Sequence, residues 1–135
     1  MEIVHNNNMR KIFILIIVLL MSTKCYAKHL YLEKDYQCHW CNAQGGQLEY
    51  VLPDKARIDC LLPDKAVEVD FAAKWAECIG QALYYGNMTN KIPACLLIME
   101  NGAKDNKYLY RLINATKDIK DFRIFTITPD DLKKY

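Results

Sequence analysis

Asp59, Glu68 and Asp70 are the side chains of this sequence whose type and spacing suit catalysis. Asp59 lies in Arg57-Ile58-Asp59-Cys60-Leu61-Leu62, and the other two lie in Ala66-Val67-Glu68-Val69-Asp70-Phe71. Both stretches read as strands, whose successive side chains alternate between faces. Arg57, Asp59 and Leu61 then share one face, opposite Ile58, Cys60 and Leu62. In the following strand Ala66, Glu68 and Asp70 stand opposite Val67, Val69 and Phe71. Two neighbouring strands thus gather three acids on one side. Like charges held together cost stability unless a cation joins them, so the pattern suits a divalent metal and a phosphodiester. A solvated polar face, its acids paired with Arg57 or Lys65, is the plain structural alternative.

The helix that follows, from Ala72 to about Asn87, puts Lys74, Cys78, Gln81 and Tyr85 on one stripe. Lys74 falls within reach of Glu68. Trp75, Ile79, Ala82, Leu83 and Gly86 form the neighbouring apolar stripe, expected to bury against the sheet. The acids are positioned by turns that occur twice: Leu52-Pro53-Asp54-Lys55-Ala56 recurs as Leu62-Pro63-Asp64-Lys65-Ala66. Proline presets the first central turn position and aspartate bonds the local backbone. Strands over Leu48 to Leu52, Arg57 to Leu62 and Ala66 to Phe71 then form an antiparallel meander. Asp54 and Asp64 belong to its solvated turns and are poor catalytic candidates.

A helix is expected before the meander, from Leu30 to about Asn42, where Leu30, Glu33, Tyr36, Gln37, Trp40 and Cys41 repeat at helical spacing. Beyond the central helix, Ala94-Cys95-Leu96-Leu97-Ile98-Met99 is apolar without interruption, as in a strand buried on both faces and parallel to the third. A short amphipathic helix from Tyr108 to about Ala115, a peripheral strand from Phe122 to Thr128, and a frayed polar tail from Pro129 to Tyr135 complete the reading.

Composition bounds the rest. The chain has 135 residues and a formal net charge of +2. Such a charge neither demands nor excludes nucleic acid, because a local basic surface can hold phosphates while the total stays near neutral. Arg10-Lys11, the apolar run Ile12 to Met21, and Cys25-Tyr26-Ala27 together read as a secretory signal peptide over residues 1–27, leaving one domain over 28–135. The apolar run is shorter than the roughly 20 residues of a membrane span, so no stable insertion is expected after cleavage, and the mature protein is expected to be secreted or periplasmic. Five cysteines follow: Cys38, Cys41, Cys60, Cys78 and Cys95. Export favours disulfides, and the odd number leaves at least one thiol unpaired. Cys38-His39-Trp40-Cys41 has the spacing of a redox or metal pair, without the second pair of a zinc site or the preceding strand of a thioredoxin-like motif. Cys60 and Cys95, inside apolar strands, read as small hydrophobes.

Helix, three-strand meander, helix, strand is the order of the PD-(D/E)XK nuclease core, and the chain resembles that superfamily over most of residues 28–135. Asp59 on the second strand, Glu68-Val69-Asp70 on the third and Gln81-Ala82-Leu83-Tyr84-Tyr85 on the helix carry the likeness, the last resembling the glutamine-tyrosine motif of the RecB-like branch. The superfamily's motif lysine, two residues after Glu68, is replaced by Asp70; Lys74 matches a lysine migrated to the following helix. The resemblance implies an α/β, restriction-endonuclease-like fold and an exported nuclease acting on DNA or RNA. It also implies Mg2+ or Mn2+ held by Asp59, Glu68 and the Val69 carbonyl. Catalysis would fall to Asp59, Glu68, Lys74 and Gln81, with Glu33, Glu49, Asp70 and Tyr85 in support. An inactive nuclease-fold binding or structural domain and a thiol-dependent exported protein using Cys38 and Cys41 are the alternatives.

Overall fold

The computed structural model describes residues 29–133. The segment expected to be a signal peptide, residues 1–27, lies outside the described residues. Helix α1 (Glu33–Ala43) leads into strands β1 (Gln47–Val51), β2 (Arg57–Leu61) and β3 (Lys65–Phe71). A 3-10 turn (Ala72–Lys74) opens helix α2 (Trp75–Thr89), followed by β4 (Ile92–Ile98), a second 3-10 turn (Gly102–Lys104), α3 (Asn106–Thr116), β5 (Arg123–Ile127) and the short α4 (Pro129–Leu132). The strands form one open mixed sheet in the order β1-β2-β3-β4-β5. The first three pair antiparallel, and β4 pairs parallel with both β3 and β5. Among the described residues no helix is long and apolar enough to cross a membrane.

Alternation along β4 divides the core in two. Ala94, Leu96 and Ile98 pack with Val67, Val69, Tyr36 and Cys41 beneath α1, while Cys95, Leu97 and Met99 pack with Cys78, Ala82 and Leu112 beneath α2 and α3. Each of these strand residues is nearly or fully buried, which is why the sequence there is apolar at every position. On α2 the buried stripe runs Cys78, Ala82, Tyr85 and Gly86. Leu83, expected inside, is 36% exposed. Gly86 is fixed by packing: a Cβ there would come 2.9 Å from the Lys91 carbonyl oxygen and against Pro93.

Each face is stapled to the sheet by a disulfide. Cys41 of α1 bonds Cys60 of β2, and Cys78 of α2 bonds Cys95 of β4. Cys60 and Cys95 are therefore cross-links rather than free hydrophobes. The Cys38-Cys41 pairing suggested by their spacing is not formed, because Cys41 is committed across the sheet and Cys38 remains a free thiol. Both bridges span short separations, 19 and 17 residues, for which restriction of the unfolded chain gives about 3 kcal/mol each.

The tail after β5 departs from its expected frayed state. Thr128 and Asp131 close a reciprocal cap around the first turn of α4, and Leu132 packs on the α1-side core. At the other end, the carboxylate of Glu100 accepts hydrogen bonds from the Leu30 and Tyr31 amides and the Tyr36 hydroxyl, and pairs with His29. This anchors the segment leading into α1.

Gly46 makes room for the first disulfide: a Cβ there would lie 2.5 Å from Cys60 Sγ and 2.7 Å from Cys41 Sγ. Gly46→Ala should therefore lower unfolding free energy by about 1–3 kcal/mol under oxidising conditions. After reduction the two sulfurs can separate and the penalty should shrink. Chemical denaturation with and without reductant measures both.

Candidate active site

The alternation expected along β1 and β2 breaks where those strands reach Glu49 and Asp59. Leu48 and Cys60 are paired and belong to the α1-side core, whereas Tyr50 and Ile58, also paired, pack with Leu52, Ala66 and Tyr85 in a separate cluster. Strict alternation would have kept Ile58 and Cys60 on one face. The reversal coincides with Glu49, whose backbone is left-handed at φ 53°. A non-glycine residue in that region costs about 1–2 kcal/mol, so its surroundings must hold it there. Two partners do so. Gln37 of α1 donates its side-chain amide to Glu49 Oε1 at 2.6 Å, and Arg57 approaches Glu49 Oε2 at 3.2 Å.

The β2–β3 ladder also ends here. Its registered pairs are Cys60 with Val67 and Leu61 with Ala66. Beyond them the Asp59 side chain replaces backbone pairing, with Oδ2 accepting the Val69 amide at 2.8 Å. The parting of the strands opens a cavity of about 600 Å³ lined by residues that include Glu33, Lys34, Gln37, Glu49, Arg57, Asp59, Glu68 and Gln81. The structure thus brings five of the expected site residues, Asp59, Glu68, Gln81, Glu33 and Glu49, onto one wall system. Val69 turns its side chain into the α1-side core while its amide serves Asp59. Tyr85 stands behind the wall, its hydroxyl donating to Gln81 Oε1 at 3.3 Å.

Asp70 and Lys74 form a neighbouring pair rather than part of the lining. Lys74 Nζ lies 3.4 Å from Asp70 Oδ1, with the lysine half-exposed and the aspartate buried. Asp54 and Asp64 sit in the turns as expected: Asp54 accepts from the Tyr84 hydroxyl and the Ala56 amide, and Asp64 pairs with Lys65.

Gln37, Lys34 and Arg57 complete the lining. None of the three was expected as a site residue. Gln37 has the clearest sequence signal: it follows Glu33 by one helical turn on a helix whose buried side is otherwise aromatic or cysteine. A polar side chain on that stripe needs a polar partner.

Burial sets the electrostatics. Glu68 is 6% exposed, and burial, reinforced by the charges of Asp59 and Asp70, pushes its carboxyl well above the ordinary range. Asp59 is raised chiefly by burial, against the lowering effect of the Val69 amide, and the two carboxyls are in hydrogen-bonding reach. Burial raises Asp70 to about 6 despite Lys74, and Glu33 is raised for the same reason. Glu68 Oε2 and Asp70 Oδ2 are buried with no hydrogen-bond partner among the described residues. An acceptor in that condition needs a proton or a cation. Among the described residues no three His, Cys, Asp or Glu side chains form a ready metal-ligand group. The donor set is smaller, the two carboxylates of Asp59 and Glu68. It suits a hard cation that retains waters.

These shifts fix a pH dependence. A carboxyl raised in the folded state binds more protons there than in the unfolded chain, so stability is fullest below the unfolded value and falls as pH rises through the folded one. The metal-free protein should therefore gain stability on acidification from about pH 8 toward pH 5. Glu68→Gln should flatten that slope and stabilise the metal-free protein at pH 8 by about 1 kcal/mol or more, as measured by urea denaturation across the range.

In comparison with known proteins, the chain matches no family model, no curated protein and no solved structure.

Proposed function

We propose that this protein is an exported, divalent-metal-dependent nuclease with a restriction-endonuclease-like core, hydrolysing phosphodiester bonds in DNA or RNA. The observation that carries the reading is the buried, unpartnered Glu68 Oε2 beside Asp59, at the parting of an antiparallel hairpin from a central parallel strand. The order of elements supports it, as does the mixed charge of the cavity, whose lining combines acids with Lys34 and Arg57. Two disulfides suit an oxidising compartment.

Asp59 and Glu68 would hold Mg2+ or Mn2+ through carboxylate oxygens, with the Val69 carbonyl as a further ligand. When bound, such an ion supplies Lewis-acid polarisation of the scissile phosphate and lowers the pKa of the attacking water. Lys34 and Arg57 attract and position the phosphate backbone, while Glu33 adds a carboxylate across the cavity. Because the Tyr85 hydroxyl occupies Gln81 Oε1, the Gln81 nitrogen is the end left to donate to a phosphate oxygen. Lys74 stabilises developing charge after turning from Asp70, one helical turn away.

The Lys74–Asp70 pair also favours a second reading. A lysine held by an adjacent buried acid is not directed at the cavity, as expected of a nuclease-fold protein that binds nucleic acid without cutting it.

Cleavage of plasmid DNA and of a structured RNA, each with Mg2+, Ca2+ or chelator, separates the readings. An active nuclease cleaves in Mg2+, stops in chelator, and loses about 100-fold or more in rate on Asp59→Asn, with Lys74→Ala also impaired. Equal activity of wild type and both variants rejects the assignment. Salt-sensitive binding with no cleavage in any divalent metal selects the inactive reading.

A further inference from the structure

We infer that Gln37 is a positioning residue, acting with the strained Glu49 as a clamp that holds the Asp59 carboxylate in the cavity. Gln37 is 5% exposed, deep enough that its amide must be satisfied by the protein. Its nitrogen makes two hydrogen bonds, 2.6 Å to Glu49 Oε1 and 2.9 Å to the Asp59 carbonyl oxygen. One amide group thus ties together the two residues at which β1 and β2 reverse their faces. Among the described residues no other side chain duplicates this link: Arg57 reaches the other Glu49 oxygen from an exposed position, 66% accessible, and touches the edge of the clamp alone.

The consequence lies on Asp59. Its main chain is held by Gln37 through the carbonyl, and its side chain is held by the Val69 amide through Oδ2. Between these anchors the residue has no ladder partner on β3, so its rotation is governed by the clamp rather than by sheet pairing. Without the Gln37 amide, Glu49 loses a partner that keeps its backbone left-handed, β1 and β2 regain ordinary alternation, and Asp59 is free to leave Val69. Groups that orient a ligand carboxylate from behind commonly change affinity tenfold to a hundredfold when removed.

This deepens the proposed metal-site reading and rests on it for its functional consequence, but the geometry has a readout that needs no metal. In the metal-free, oxidised protein, amide hydrogen exchange at Val69 reports directly on the Asp59 Oδ2 bond. Gln37→Leu should accelerate Val69 exchange at least about tenfold relative to Val67, which remains in ladder register. Glu49→Gly tests the route: glycine holds the left-handed backbone without the clamp, so this variant alone should keep Val69 protected, and added to Gln37→Leu it should restore part of the lost protection. Mn2+ affinity should fall about tenfold to a hundredfold in Gln37→Leu, and by less in the double variant with Glu49→Gly. Unchanged Val69 protection in folded Gln37→Leu overturns the clamp, whatever the metal does. Lost protection in Gln37→Leu, with a wild type that binds no Mn2+, upholds the clamp and rejects the metal site instead.

Discussion

Two carboxyl groups, that of buried Glu68 and that of partly buried Asp59, lie within hydrogen-bonding reach of one another, and the local architecture follows from that constraint. A buried carboxylate pair is unfavourable by several kcal/mol unless protons or cations intervene. Ordinary sheet pairing would place Asp59 across from Glu68 and keep each strand's polar side chains on one face. Instead the β2–β3 ladder stops after Cys60, the Val69 amide turns to Asp59 Oδ2, and β1 and β2 reverse their faces opposite α1. The left-handed Glu49 adds strain at the same point. Backbone strain of this kind clusters at functional sites, and here it coincides with unpartnered acids, which supports the proposed reading.

Such a site needs rigid flanks, and the disulfides provide them from both sides. Cys41–Cys60 fixes α1 to β2 next to Asp59, and so fixes the helix that carries Glu33 and Gln37. Cys78–Cys95 fixes α2 to β4 one turn from Gln81, and the Cys78 residue also contacts the Glu68 carbonyl oxygen. Each cross-link therefore braces a helix that lends polar side chains to the cavity. In a small domain whose core is shared between two faces, that bracing offsets part of the cost of burying charge.

Much of the fold was legible from local chemistry. The repeated Leu-Pro-Asp-Lys-Ala segment places both hairpin turns, and the uninterrupted apolar run from Ala94 marks the central strand, because turn geometry and two-sided burial leave direct compositional traces. Asp59, Glu68 and Gln81 were legible as well, as acids on adjacent strands and an amide on the helix that follows them. The face reversal at Glu49 and Asp59 left no trace, since a glutamate at positive φ carries none of the signal that glycine or asparagine would. Disulfide partners depend on tertiary proximity, so Cys38-His39-Trp40-Cys41 suggested a local pair that the fold does not make. Gln37 looked like one more helix residue until β1 and β2 were placed against it.

Lys74 and Asp70 decide what the carboxyl pair is worth. Asp70 occupies the position where the PD-(D/E)XK resemblance expects the motif lysine, and it is buried with one oxygen unpartnered and the other facing Lys74 at 3.4 Å. An acid there raises the local negative charge, which strengthens attraction for a cation but opposes the approach of a phosphate. Lys74 offsets that charge from the first turn beyond β3, and its half-exposed ammonium keeps the freedom to swing that a buried one would lack. Turning toward the cavity would leave Asp70 buried and unpaired, a state that protonation relieves, since burial already holds its carboxyl at about 6. In the proposed nuclease reading, proton uptake by Asp70 and release of Lys74 would thus be linked, and an incoming phosphate is the kind of charge that would favour both.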